Sequence, residues 1–217
     1  MLFRSLDRNL GNTAHYLDCL QFMLAPFPYG GDPWRDGRPD RAPDVLTNSW
    51  GCPPVEGCDL GTLRAAVDAL TGAGIYVVVA AGNSGPACRT VDDPPAPYPS
   101  ALTVGAVDQR GNVAEFSSRG PTPDGRPKPD LLAPGVGVLS ALPGGRFGAL
   151  DGTSMAAPHV AGVVALMWSA NPALVGDIAR TTEILRRTAR PLGVPVPCGG
   201  AGAGIVDAIA AVRAARG

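Results

Sequence analysis

Three short segments hold residue types that together suit acyl transfer: "NSWG" (48–51), "AAGNSG" (80–85) and "GTSMAAPH" (152–159). Ser154 carries a hydroxyl at the expected start of an apolar helix. There, free N–H groups and the positive dipole end stabilise developing negative charge. Its small neighbours Gly152, Thr153, Ala156 and Ala157 let a substrate backbone come close. Asn83 follows an apolar run between glycines, so its amide can donate into a cleft. A serine nucleophile, a side-chain donor and a backbone N–H are the equipment for stabilising a tetrahedral oxyanion. Taken singly, the serine is an ordinary helix cap and the asparagine an ordinary turn residue. Only their combination points to chemistry.

A serine hydroxyl is a weak nucleophile at neutral pH unless a base takes its proton. The chain has two histidines, His15 and His159. His159 lies five residues past Ser154 on the same expected helix. At ~100° per residue it sits ~140° round the axis and faces away, which suits a packed, hydrogen-bonded helix residue. His15, in "NTAHYLD", lacks flanking glycines and reads as an ordinary helix residue.

The elements that must position these residues alternate between strand and helix. "DVLTNSWG" reads as a short strand entering a turn. "IYVVVAAG" and "ALTVGAV" are continuous apolar runs rich in β-branched residues, as expected of strands covered on both faces. "NVAEFSS" and "VGVLSAL" are weaker strand candidates. Residues 12–24 form an expected helix capped by Asn12 or Thr13. "TLRAAVDALTGAG" places Leu63, Ala66, Val67 and Leu70 on one helical face and ends at Gly72 and Gly74. A helix from Thr153 to about Ala170 is expected, then helices near 176–189 and 204–215. The pattern predicts an α/β fold with a largely parallel sheet. Sites in such sheets gather at the C-terminal strand ends, where all three segments would meet.

The 217 residues suffice for one large domain or a sizeable part of one. Apolar residues make up 45% and charged residues 17%, and the 29 Gly and 23 Pro imply many tight turns. A net charge of −1 without a basic stripe argues against nucleic-acid binding. No run reaches the ~18 apolar residues of a membrane span. "MLFRSLDRNLGN" lacks the apolar centre of an export signal. Five cysteines leave at least one thiol unpaired within the chain; Cys52 and Cys58 bracket "CPPVEGC" and can form a local disulfide. No C-x-x-C is present for zinc.

From about Asp44 to Val212 the chain resembles the subtilisin-like serine proteases, or subtilases. "GTSMAAPHVAGVVAL" resembles the family's nucleophile motif and "VVVAAGNSG" its oxyanion-hole segment. "YPSALTVGAVD", "FSSRGP", "KPDLLAPGVGVLSAL" and "GAGIVDAIAAV" resemble flanking segments in the same order. The cysteine-bearing loop and "NSWG" are similar to the bacillopeptidase-like branch. The resemblance implies a three-layer subtilisin-like fold and a serine endopeptidase acting on polypeptides through an acyl-enzyme. Ser154 would be the nucleophile and Asn83 the oxyanion donor. Ser49, Trp50 and Gly51 would pair with an extended substrate and, with Ala80, Ala81 and Gly82, wall the pocket for the side chain before the cut. The pocket's far wall is expected in "CRTVDDPPAP" (88–97). No cofactor is implied, although a structural calcium or weak cation on the carbonyls of Ala96, Tyr98 and Ala101 is possible by the same likeness. Secretion is the family's expected location.

A subtilase needs Asp, His and Ser in that chain order. No Asp-Thr-Gly-like or His-Gly-Thr-His-like segment occurs here. The chain is therefore expected to be a partial catalytic domain lacking its N-terminal part: helix and loop over 1–43, then oxyanion-hole and nucleophile segments over 44–217. It would need the segment bearing Asp and His for activity, and exposed edges would leave it poorly stable or self-associating. The rival readings are a non-catalytic peptide-binding protein that keeps the cleft, and a different hydrolase using His15.

Overall fold

The structure, a computed structural model, describes residues 11–192 and 197–217. Residues 1–10, part of the stretch read for an export signal, lie outside it. Four strands, β1 (Val45–Asn48), β2 (Tyr76–Ala80), β3 (Leu102–Val107) and β4 (Leu131–Pro134), pair in that order, and every pair is parallel. The sheet is covered on both faces, so its strands read as continuous apolar runs.

The two-residue period of β2 shows how the layers are assigned. Tyr76 and Val78 join one core with Val160, Val164, Met167 and Trp168 of α3 (Thr153–Ala170). Ile184 and Leu185 of α4 (Ile178–Thr188) and Ala211 of α5 (Ala208–Ala215) lie in the same core. Val77 and Val79 face the opposite core, with Tyr16 and Leu20 of α1 (Thr13–Leu24) and Val67 and Leu70 of α2 (Arg64–Gly72). The result is the expected three-layer α/β arrangement. Asn12 caps α1 by accepting from His15 N, and Leu63, Val67 and Leu70 are all fully buried as their spacing predicts.

Several elements differ from the sequence reading. Residues 112–118 turn rather than extend, leaving a single bridge between Val113 and Val107. "VGVLSAL" does form a strand, β5 (Val138–Leu142), but in an antiparallel hairpin with β6 (Arg146–Leu150) outside the main sheet. Helix α4 begins at 178 because Gly176 turns with φ +80 and Asp177 caps it, accepting from Arg180 N. Helix α5 begins at 208 because Ile205 is extended, bridging both Leu132 and Arg190. Asp207 is its cap.

Two surfaces stand open among the described residues. The outer edge of β1 has no strand partner. Helix α3, which packs against all four strands, also presents Pro158, His159, Gly162, Ala165, Leu166 and Ser169 to solvent. That face carries no acidic or basic side chain apart from His159. Unpaired edges and exposed apolar helix faces favour association. The chain is therefore expected to self-associate on concentration. Leu166→Glu should reduce this while changing stability by no more than about 0.5 kcal/mol. Light scattering across a dilution series checks it; a monodisperse parent monomer throughout overturns it.

Candidate active site

The cleft lies where β1 and β2 end and α3 begins. Its volume is about 190 Å³, and it is lined by Ser49, Trp50, Gly51, Ala80, Ala81, Gly82, Asn83 and Ser154, with Ser84, Thr90, Asp93, Ala96 and Thr153. Every residue expected in nucleophile, oxyanion or substrate-pairing roles thus comes to one place.

The orientation of Asn83 follows from its partners. Its Oδ1 accepts from Thr153 N and from Thr153 Oγ1, both at 2.9 Å. An amide oxygen fixed by two donors leaves Nδ2 on the opposite side of the group. A Cβ added to Gly152 would lie 3.6 Å from both Asn83 Nδ2 and Ser154 N. The absent side chain of Gly152 is therefore what keeps open the space between these two donors. Gly152 also holds φ +153 at the helix start, a conformation that L side chains rarely adopt. Thr153 N donates to Asn83 and Met155 N to Gly152 O, so Ser154 N is the early helix amide left for a ligand.

Ser154 and Ser49 are joined twice. Ser154 Oγ donates to Ser49 O, and Ser49 Oγ donates to Ser154 O, each at 3.2 Å. The second bond has a covalent cause. Pro158 lies inside α3, and having no N–H it leaves the Ser154 carbonyl without its helical donor. Ser49 fills that vacancy. Asn48, the buried last residue of β1, donates from Nδ2 to Trp50 O and shapes the turn. Trp50 stacks on Tyr16 of α1 with ring centroids 4.1 Å apart. Gly82 is held by Thr153 as well, since Gly82 N donates to Thr153 Oγ1.

No histidine hydrogen-bonds Ser154 among the described residues. His159 is exposed, with Nδ1 bonded to Met155 O at 2.8 Å. His15 is exposed beside Asn12. Neither is placed as a base for Ser154.

Two of the three carbonyls considered for a cation, those of Ala96 and Ala101, have other partners. Ala96 O accepts from Thr103 Oγ1 at 2.7 Å. Ala101 O accepts from Lys128 Nζ at 2.8 Å, and the same ammonium reaches Asp130 Oδ2 at 2.5 Å. Burial pulls the Lys128 pKa down, and Asp130 opposes the pull. A metal ion at Ala101 O would face this positive charge, so the set does not fit one. Among the described residues no cluster of three His, Cys, Asp or Glu side chains is arranged for a metal.

Cys52 and Cys58 are joined as the loop spacing allows; Cys88 and Cys198 form a second disulfide that the sequence reading did not identify, and Cys19 is free and buried. The reading also missed Thr153 as the residue that orients Asn83, and the pairing of Ser49 with Ser154. A threonine immediately before the serine was the available signal, but its role depends on the meeting of two distant segments.

The family model described as the subtilase family matches residues 29–204. Bacillopeptidase F of Bacillus subtilis is 38% identical over 223 aligned residues, covering 97% of this chain and 15% of that protein. A subtilisin of Bacillus pumilus is 42% identical over 151 residues, covering 69% of this chain and 50% of that protein. Among solved structures, a protease of Pseudoalteromonas arctica superposes with a TM-score of 0.78 at 31% identity, covering 98% of this chain and 61% of that one. The chain spans half or less of the length of these two sequence relatives.

Lys128→Met removes the partner of a carboxylate whose side chain is only 14% exposed, leaving Asp130 charged and unpaired. Breaking such a pair costs about 3–5 kcal/mol, so the urea midpoint should fall steeply. An unchanged midpoint would show that the pair contributes little.

Proposed function

The chain belongs to the subtilase family, and on that premise we propose that it supplies the nucleophile and oxyanion donors of a serine endopeptidase. A segment bearing the family's Asp and His completes the site in this reading. The observation that carries it is the fixed amide of Asn83, whose Oδ1 is bound twice by Thr153 and whose Nδ2 lies near Ser154 N. A pure peptide binder has no need of two donors converging beside a serine hydroxyl.

An extended peptide pairs with the backbone of Ser49–Gly51 as an added strand. Its scissile carbonyl carbon meets Ser154 Oγ, and the carbonyl oxygen enters the space beside Gly152. As the Oγ–carbon bond forms, the hydroxyl proton passes to the imidazole of the completing segment. Asn83 Nδ2 and Ser154 N donate to the oxyanion. The imidazole then gives its proton to the leaving amine, and water releases the acyl group by the reverse sequence. Ser154 Oγ must exchange its bond to Ser49 O for one to the base, and a single bond at 3.2 Å is a weak competitor.

The open edge of β1 and the uncovered face of α3 support the need for a completing segment. The Ala96, Tyr98 and Ala101 carbonyls do not serve as a cation site in this reading, since Lys128 meets the Ala101 carbonyl. The two disulfides favour an oxidising, extracellular setting. No helix among the described residues is long and apolar enough to cross a membrane.

The coding DNA upstream of Met1 is to be read in all frames, and the chain expressed with any Asp-Thr-Gly-like and His-Gly-Thr-His-like segments encoded in frame. The joined protein should label at Ser154 with a fluorophosphonate. Asn83→Ala should lower kcat by about 10²–10³-fold, the loss known for subtilisin itself. If both segments are present and Ser154 remains unlabelled, or if neither is encoded, peptide binding without hydrolysis takes the place of this reading.

A further inference from the structure

The far wall of the cleft contains a carboxylate. Asp93 and Thr90 come from the irregular segment after β2, and both line the cleft together with Ser154 and Asn83. A Cβ added to Gly51 would lie 3.0 Å from Asp93 Cβ and 3.6 Å from Asp93 Oδ2. The Asp93 side chain therefore runs along the Gly51 wall, on the strand-like segment that would pair with a substrate. The same position is held from behind, where Ala96 N donates to Asp93 O and Cys52 N to Pro94 O.

This carboxylate has no partner among the described residues. It makes no ion pair and no side-chain hydrogen bond. Burial raises its pKa first, and the charges of Asp92 and Glu56 raise it further. Both neighbouring charges are thus of its own sign. Glu56 is occupied elsewhere, accepting from Tyr16 Oη and Gly11 N. Asp92 is exposed. The same cleft is lined by the small residues Gly51, Ala80, Ala81, Gly82 and Ala96. A cleft of small residues that includes an unpaired carboxylate leaves room for a methylene stem and complements the cation it carries.

We propose that this cleft selects peptides with a lysine or arginine side chain before the scissile bond, and that Asp93 is the specificity-determining residue that receives its charge. The inference rests on reading the cleft as a peptide site, but it does not require hydrolysis.

The test uses p-aminobenzamidine, a fluorescent arginine mimic, titrated into the full chain. Saturable binding is expected, weakened at least about tenfold by Asp93→Asn and little changed by Asp92→Asn, because close charge pairs in a site are worth more than one factor of ten. A short peptide ending in arginine should displace the probe at least about tenfold better than one ending in phenylalanine. That comparison needs only the parent chain, so it decides the matter even if the Asp93 variant does not fold. Equal displacement by the two peptides, or undiminished binding to a folded Asp93→Asn variant, overturns the proposal. Ser154→Ala should retain probe binding. A chain that binds the probe but never labels at Ser154 therefore loses the endopeptidase reading alone.

Discussion

Two hydrogen bonds from Thr153 to the side-chain oxygen of Asn83 set the geometry on which the site depends. They tie the segment leaving β2 to the first turn of α3, across 70 residues of sequence. Thr153 is fully buried, so its two donors have no water as an alternative partner, and leaving one unpaired would cost about 1–3 kcal/mol. The hydroxyl serves twice, donating to Asn83 and accepting from Gly82 N. One side chain thereby fixes both the amide and the backbone beside it. Helix α3 can hold Thr153 there because its Val160, Val164 and Met167 side chains lock it against the sheet; each is fully buried, worth about 1.5–3 kcal/mol apiece.

Backbone economy explains the other side of the cleft. Proline within a helix normally weakens it by removing a donor and crowding the preceding turn. Here the freed acceptor is the carbonyl of Ser154, and Ser49 Oγ satisfies it. The same loss of a helical bond thus becomes a link between α3 and the end of β1. Asn48 and the Tyr16–Trp50 stack keep that end of β1 in place. Helix α1 therefore supports the cleft without lining it.

Much of this was legible in the sequence, for identifiable reasons. Strands β2 and β3 and helix α3 are buried on more than one side, so their composition alone marks them. The 3.6-residue spacing of Leu63, Val67 and Leu70 marks α2. Ser154 and Asn83 were legible as candidates because small residues and turn chemistry sit at strand ends, whereas the wall roles of Ser49–Gly51 and Ala80–Gly82 came only from the resemblance to the subtilases. What escaped depends on long-range meeting. Strand β4 is four residues long, and β6 exists only through its pairing with β5. The Cys88–Cys198 link spans 110 residues, and no local rule selects one partner among five cysteines. The segment 88–97 was expected to reach the cleft and three of its residues do line it, but only the fold brings Asp93 rather than its neighbour Asp92 there.

Asp93 and Asp130 show how differently one residue type is treated at the two ends of the sheet. Asp130, before β4, is largely buried and paired: Lys128 contributes its charge and Thr103 N donates to the same oxygen at 2.7 Å. That arrangement is what a structural carboxylate requires, since a buried charge without a partner is strongly unfavourable. Asp93, beyond the opposite ends of the strands, has comparable reason to be paired and instead meets two like charges. Neither the cores nor the turns of the fold need a carboxylate there. An uncompensated charge is tolerable where it lines an open cleft, because water can answer it in the free protein and a ligand cation can do so when bound. Perturbed, unpaired acids therefore concentrate at functional sites. The contrast sets the cleft, where the Asp93 carboxylate is left available, against the far end of the sheet, where Lys128 and Thr103 hold Asp130.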